Sequence, residues 1–233
     1  MGHFSSSIPR LAMAHRRAKR LQLEKDGSGN QLCRIAALPV NLNGAINFAP
    51  GASTPSYSGV TIADCAFVFA GAGYIDCGAQ AYGANDLTMT CCFTTGADIV
   101  TSRGICGHPY AGAGISRIDL VLFDSKININ LNIGALGTVQ LSAACAINTR
   151  YFVAVTLDRV NHQLKLYING APVGTATNAT AIPAAGDFTP VNNFIIGRRA
   201  VTDYLIGSVH AAYVKLRALN QAEIDDLSNY LGC

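Results

Sequence analysis

At 233 residues, half of them hydrophobic and only 13% charged, the chain has ample material for a core and too little charge for long solvated helices. No apolar run reaches the length of a membrane-spanning helix. The net charge of +3 hides an asymmetry: residues 1–34 hold seven Lys and Arg against two acidic residues, a net of +5, and the remainder holds ten against twelve, a net of −2.

Residues 1–8 are small and polar, and residues 10–25 are strong helix formers without Gly or Pro. Leu11, Ala14, Ala18 and Leu21 recur at helical spacing, which predicts a short amphipathic basic helix. Such a segment suits a transit peptide, a nucleic-acid or membrane contact, or an arm that docks on other protein subunits. We read it as a docking arm over residues 1–34, with Arg10, Arg16, Arg17, Lys19 and Arg20 as its contact residues and no cleaved leader. A turn-forming linker at Asp26–Asn30 and a short strand at Leu32–Leu38 follow, and residues 40–59 read as irregular connection.

Strands are predicted at Val60–Phe69, Gly71–Gly78, Asp86–Thr94, Ile99–Ile105, Ile118–Phe123, Ser125–Ile133 and Val139–Cys145. Ser125–Ile133 alternates Ile and Leu with Asn, as a strand with one polar face should. The clearest stretch is Arg150–Gly170. In its first strand Phe152, Ala154, Thr156 and Asp158 alternate with Val153, Val155 and Leu157, which marks a half-buried strand. A polar turn leads to a second strand, Leu164–Asn169, and Asn169-Gly170 then suits a tight turn because both residues tolerate positive φ. Residues 180–190 form a loop. Gln221–Tyr230 is a short helix with Asn220 as N-cap and Glu223 three positions on.

The eight cysteines include no Cys-x-x-Cys pair, so zinc-knuckle spacing is absent. Most lie in apolar strand-like runs and are expected to be buried free thiols.

The segment YFVAVTLD, a turn, then LKLYING resembles the laminin G-like, concanavalin A-like jelly-roll family. The resemblance continues through Phe194–Gly197, Tyr204–Val209 and the closing KLRALNQAEIDDL, and spans roughly residues 60–230. The chain departs from the family in having no Trp. The resemblance implies an all-β fold, a two-sheet antiparallel jelly-roll sandwich over residues 35–233, preceded by the basic arm and closed by the short helix.

Glycosidases of that superfamily need two closely placed carboxylates. The only glutamates are Glu24, in the arm, and Glu223, in the terminal helix, and neither stands in a Glu-x-Asp-x-x-Glu signature, so we expect no enzymatic activity. Of the histidines, His108 and His162 fall in loop and turn sequence, natural solvent positions, and His210 at a core edge or interface. Family resemblance implies a possible rim calcium, for which Asp76, Asp124 and Asp158 are the candidates beside Asp187 and Asp203, but no cofactor is required. Tyr82, Tyr110 and Tyr204 are the loop-side aromatics available to a saccharide. The expected function is a non-enzymatic structural protein of a multi-subunit particle. A phage or viral virion, as decoration, spike or fibre, is the expected setting and localisation. The arm would contact other subunits or further copies of the chain, with surface glycans as a further partner and neither nucleic acid nor membrane. A carbohydrate-binding lectin with rim calcium is the alternative, and a glycoside hydrolase comes third.

Overall fold

The computed structural model describes the backbone of residues 31–36 and, in full, residues 55–63, 66–110, 112 and 114–231. The basic segment Arg10–Lys25, and with it the five arm residues named above, lies outside the described residues.

Among the described residues thirteen strands and one helix follow in order: β1 (Gln31–Ala36), β2 (Ser56–Ala63), β3 (Ala66–Asp76), β4 (Leu87–Thr95), β5 (Arg103–Gly107), β6 (Arg117–Phe123), β7 (Lys126–Asn132), β8 (Thr138–Ala144), β9 (Arg150–Asp158), β10 (Gln163–Ile168), β11 (Ala171–Thr177), β12 (Ile195–Ile196), β13 (Ile206–Lys215) and α1 (Gln221–Leu231). Every pairing is antiparallel, and the strand order is β11-β10-β9-β4-β13-β3-β12-β5-β6-β7-β8, with β1 on β13 and β2 on β3. The two ends of this path meet, since β11 lies against β8. Two layers result, β11-β10-β9-β4-β13 and β3-β12-β5-β6-β7-β8, folded face to face as a jelly-roll sandwich. Val153, Val155, Leu157, Leu164 and Leu166 from one layer share a single buried cluster with Ile118, Leu120, Leu122, Ile127, Ile129 and Leu131 from the other. Each such side chain contributes about 1.5–3 kcal/mol by leaving water.

The hairpin of β9 and β10 forms as its alternation predicts, with Gln163 opposite Asp158 and Ile168 opposite Val153. Asn169 and Gly170 both take positive φ, 52° and 85°, the geometry a two-residue turn into β11 requires. The expectation of a half-buried strand is corrected. Phe152 and Ala154, on the face away from the main core, are also buried, because α1 packs Ile224 and Leu227 against them and Tyr167. The helix start is a reciprocal capping box: Glu223 N–H donates to Asn220 Oδ1 at 3.1 Å, and Asn220 N–H donates to Glu223 Oε2 at 3.0 Å.

Two boundaries differ from those read in the sequence, and one strand was not read there at all. Val60–Phe69 is not one strand, since β2 ends at Ala63, β3 begins at Ala66, and the two pair antiparallel. The strand expected from Ile99 begins only at Arg103, because Asp98 Oδ1 accepts the N–H groups of Val100 and Thr101, both at 3.1 Å, and diverts them from a ladder. β11 is an edge strand of small residues with Pro172 and Gly174, which carries little strand signal of its own. Four cysteines, Cys77, Cys91, Cys106 and Cys145, are thiols, as expected, but Cys92 is disulfide-bonded. Alternation along β4 sends Cys91 into the main core with Met89 and Phe93, and turns Cys92 to the opposite face, where Arg150 Nε donates to its sulfur at 3.3 Å.

Candidate functional site

The polar face of the β6–β7 pair is the most unusual chemistry in the described residues. Ile118, Leu120, Ile129 and Leu131 point into the core, so period-two geometry turns Arg117, Asp119, Asn130 and Asn132 outward. Register aligns them in rows: Arg117 opposite Asn132 opposite Thr138, then Asp119 opposite Asn130 opposite Gln140. Outward-facing side chains are normally solvated, yet these four are only 2–7% exposed. Two loops lie over them. One follows β5 and carries Tyr110, whose ring centroid stands 4.4 Å from the Arg117 guanidinium carbon. The other joins β12 to β13 and carries Arg199, whose Nε donates to Asp119 Oδ2 at 3.0 Å. Tyr110 N–H donates to Arg199 O at 3.1 Å, which ties the two loops together.

Two glycines of β5 permit this closeness. A Cβ on Gly104 would stand 2.1 Å from Arg199 N, and one on Gly107 (φ +132°) would stand 2.4 Å from Ile118 O. Arg199 Nη1 also donates to Ser102 Oγ at 3.2 Å, and Ser102 Oγ donates to Asp203 Oδ2 at 2.8 Å.

Arg117 Nε and Nη1 and Asn132 Oδ1 are buried without a hydrogen-bond partner, and Asn130 Nδ2 and Asp119 Oδ1, facing each other across the register, come close enough for the amide to help hold the carboxylate but fall short of a well-formed bond. Arg117 Nε approaches Asp119 Oδ1 only to 3.7 Å, an ion pair beyond hydrogen-bond reach. Each such buried group left unmatched costs about 1–3 kcal/mol. Burial pushes the Asp119 carboxyl above the usual carboxylate range, and the guanidiniums of Arg199 and Arg117 pull it part of the way back. Three atoms can donate here and the other two can only accept. The cluster is thus suited to groups that do both.

Of the aromatic candidates, Tyr110 stands half-exposed at this cluster. Tyr204 stands apart from it, facing Arg198, whose guanidinium carbon is 6.0 Å from the Tyr204 centroid and 3.8 Å from that of Tyr74. Tyr82 is corrected: its backbone is in a loop, but its side chain is fully buried, stacked near Phe188, with its hydroxyl 2.6 Å from His108 Nε2. His108 is likewise buried rather than solvent-facing, and its Nδ1 bonds Asn192 O at 2.8 Å. Burial lowers its pKa to about 4. His162 does sit in the turn after β9, partly buried, with Nδ1 2.7 Å from Ile182 O. His210 is partly buried on β13, 3.0 Å from Thr94 Oγ1.

The calcium candidates are not brought together. Asp76 accepts from Gly78 N–H and Asn193 Nδ2, Asp158 from Asn161, and Asp124 sits in the β6–β7 turn beside Lys126. Among the described residues no three or more His, Cys, Asp or Glu gather in a metal-holding group, so these aspartates do not form one carboxylate cluster.

Sequence reasoning caught the polar Asn face of β7 but missed Arg117, Asp119 and Arg199. The available signal was Arg-x-Asp on a strand beside Asn-x-Asn on the next. It also missed Arg159, which is 1% exposed and donates to the carbonyls of Pro183, Gly83 and Ala185, pinning the 180–190 loop.

The family model described as the concanavalin A-like lectin/glucanases superfamily, of laminin G type, matches residues 69–225. The chain belongs to this superfamily. No curated protein matches this superfamily member. Solved structures similar to it include the binding domain of botulinum neurotoxin DC in complex with rat synaptotagmin II, at 13% identity and TM-score 0.67 over 87% of this chain and 52% of that one. The receptor-binding domain of the botulinum neurotoxin C/D mosaic serotype matches at 13% and 0.68, over 86% and 51%. The neurotoxin DC binding domain in complex with SialylT matches at 14% and 0.67, over 87% and 51%. The chain spans about half the length of these structures, and at such identity they share its fold alone.

Proposed function

We propose that this lectin-like jelly roll is a non-enzymatic glycan-binding module whose saccharide docks at the β6–β7 polar face. The observation that carries this reading is the interleaving of buried donors and acceptors on Arg117, Asn130, Asp119 and Asn132 whose hydrogen bonding within the chain is incomplete. A sugar hydroxyl both donates and accepts, so adjacent hydroxyls match such a mixed set as a carboxylate or an ammonium alone does not. Tyr110 supplies a half-exposed ring face at the edge of the cluster, on which a saccharide can pack beside Arg117. The reading draws further support from two structural neighbours, the botulinum neurotoxin DC binding domain in complex with SialylT and botulinum neurotoxin type C, whose cell entry depends on interaction with two ganglioside molecules. Binding without turnover is favoured because Asp119 is held by Arg199 and Glu223 is committed to the helix cap and to Arg217. The particle-subunit reading rests on the arm, outside the described residues, and gains no support from the rest of the chain.

The test is a glycan array followed by titration of the best ligand against the wild type and Tyr110→Ala. Loss of the ring contact, worth about 0.5–1.5 kcal/mol, should weaken binding about two- to tenfold with the fold intact by circular dichroism. An array without signal, or hydrolysis of a bound polysaccharide, contradicts the proposal.

A further inference from the structure

Among the described residues, Arg198 is the one guanidinium of its neighbourhood without a counter-charge. Beside it, Arg103 pairs with Asp98, Arg199 and Arg117 pair with Asp119, and Asp203 accepts from Ser102 and Thr202. The Arg198 guanidinium carbon lies 3.8 Å from the Tyr74 ring centroid and 6.0 Å from that of Tyr204. Among the described residues its side chain has no carboxylate within ion-pair distance and no hydrogen-bond acceptor. Its backbone is fixed: Arg198 bridges Tyr204 across the loop, Arg103 Nη1 donates to Tyr204 O at 3.2 Å, and the absent Cβ of Gly104 admits the Arg198 carbonyl carbon, which a Cβ would meet at 2.2 Å.

We propose that Arg198 is an oxyanion-recognition point, taking the carboxylate or sulfate of an acidic saccharide. Stacking on Tyr74 uses the face of the guanidinium and leaves the N–H edge, the part that pairs with two oxygens of a planar or tetrahedral anion. A partly buried cation held in place loses little further freedom on binding, so an arriving anion meets a preorganised partner. Arg198 is adjacent in the chain to Arg199, which holds Asp119, so one loop serves both the anion and the polar cluster. This inference rests on the glycan-binding reading and narrows it to acidic glycans.

The experiment titrates the full chain with matched pairs (glucose and glucuronate, galactose and galacturonate, lactose and sulfated lactose) and with inorganic sulfate, at low and high salt. The wild type should prefer the acidic member of a pair by about tenfold, less at high salt. In Arg198→Gln the acidic-to-neutral ratio should collapse to about one, and Arg198→Lys should restore part of it. Neutral sugars bound as tightly as acidic ones overturn this inference and leave the glycan reading standing. Binding of no saccharide overturns both. Inorganic sulfate bound as tightly as the acidic sugar overturns the saccharide assignment in favour of a simple anion site.

Discussion

His108 and Tyr82 form a buried pair whose protonation is fixed by its partners. With Nδ1 donating to Asn192 O, Nε2 is left to accept from the Tyr82 hydroxyl, which is the arrangement of a neutral imidazole. Burial lowers the folded pKa from 6.5 to about 4. Between those values the unfolded chain binds a proton that the native chain refuses, so stability rises with pH through this window. The contribution is complete above pH 6.5 and is lost as pH falls towards 4, on the order of 3 kcal/mol in total. Urea midpoints across that range should show this slope in the wild type and a shallower one in His108→Gln, which removes the titrating ring while His210, also lowered by burial and by Arg150, remains. A wild-type midpoint that stays level from pH 6.5 to 4 contradicts the assignment. Tyr82 and His108 were misread from sequence because a loop backbone says nothing about where its side chain points. Phe188, Phe194 and the 180–190 segment supply the cover, and they lie more than 70 residues downstream.

Among the elements, α1 is the one whose start could be read residue by residue. Asn220 and Glu223 stand at capping-box spacing, and both reciprocal bonds form, with Arg217 adding two bonds to Glu223 at 2.8 and 2.6 Å. Replacing Asn220 by Ala should cost about 1 kcal/mol, seen as a lower melting temperature. Because α1 covers Phe152 and Ala154, hydrogen exchange should also rise along β9, and an unchanged melting temperature would mean the cap does not hold the helix. β5 shows the opposite case. Gly104 lay unmarked inside the strand expected at Ile99–Ile105, but it exists for the loop of Arg198 and Arg199, a contact across almost a hundred residues. Gly104→Ala should displace that loop and weaken glycan binding by about tenfold or more, while the core strands stay protected from exchange. The β6–β7 cluster was half legible for the same reason. Alternation announces a polar face, but only the fold reveals that two loops bury it.

The molecule as a whole is a closed sandwich whose core strands carry strong alternation. The all-β jelly roll was therefore readable from β7, β8 and β10, where apolar and polar positions alternate, and from the β-branched and aromatic run of β9. The edges were not, since β2 is exposed and β11 is built of small residues. The boundary drawn between arm and domain at residues 34 and 35 falls inside β1, which pairs with β13. The arm's proposed docking role predicts a larger solution mass for the intact chain than for one lacking residues 1–30, and two equal monomers would end it. The central claim concerns the β6–β7 face. Its most direct test is a map of backbone amide chemical-shift changes as the best array ligand is titrated into the full chain. The account predicts changes centred on Arg117, Asp119, Asn130 and Asn132, extending to Tyr110 and Arg199. Saturable changes confined to another face, with these residues unmoved, would contradict it.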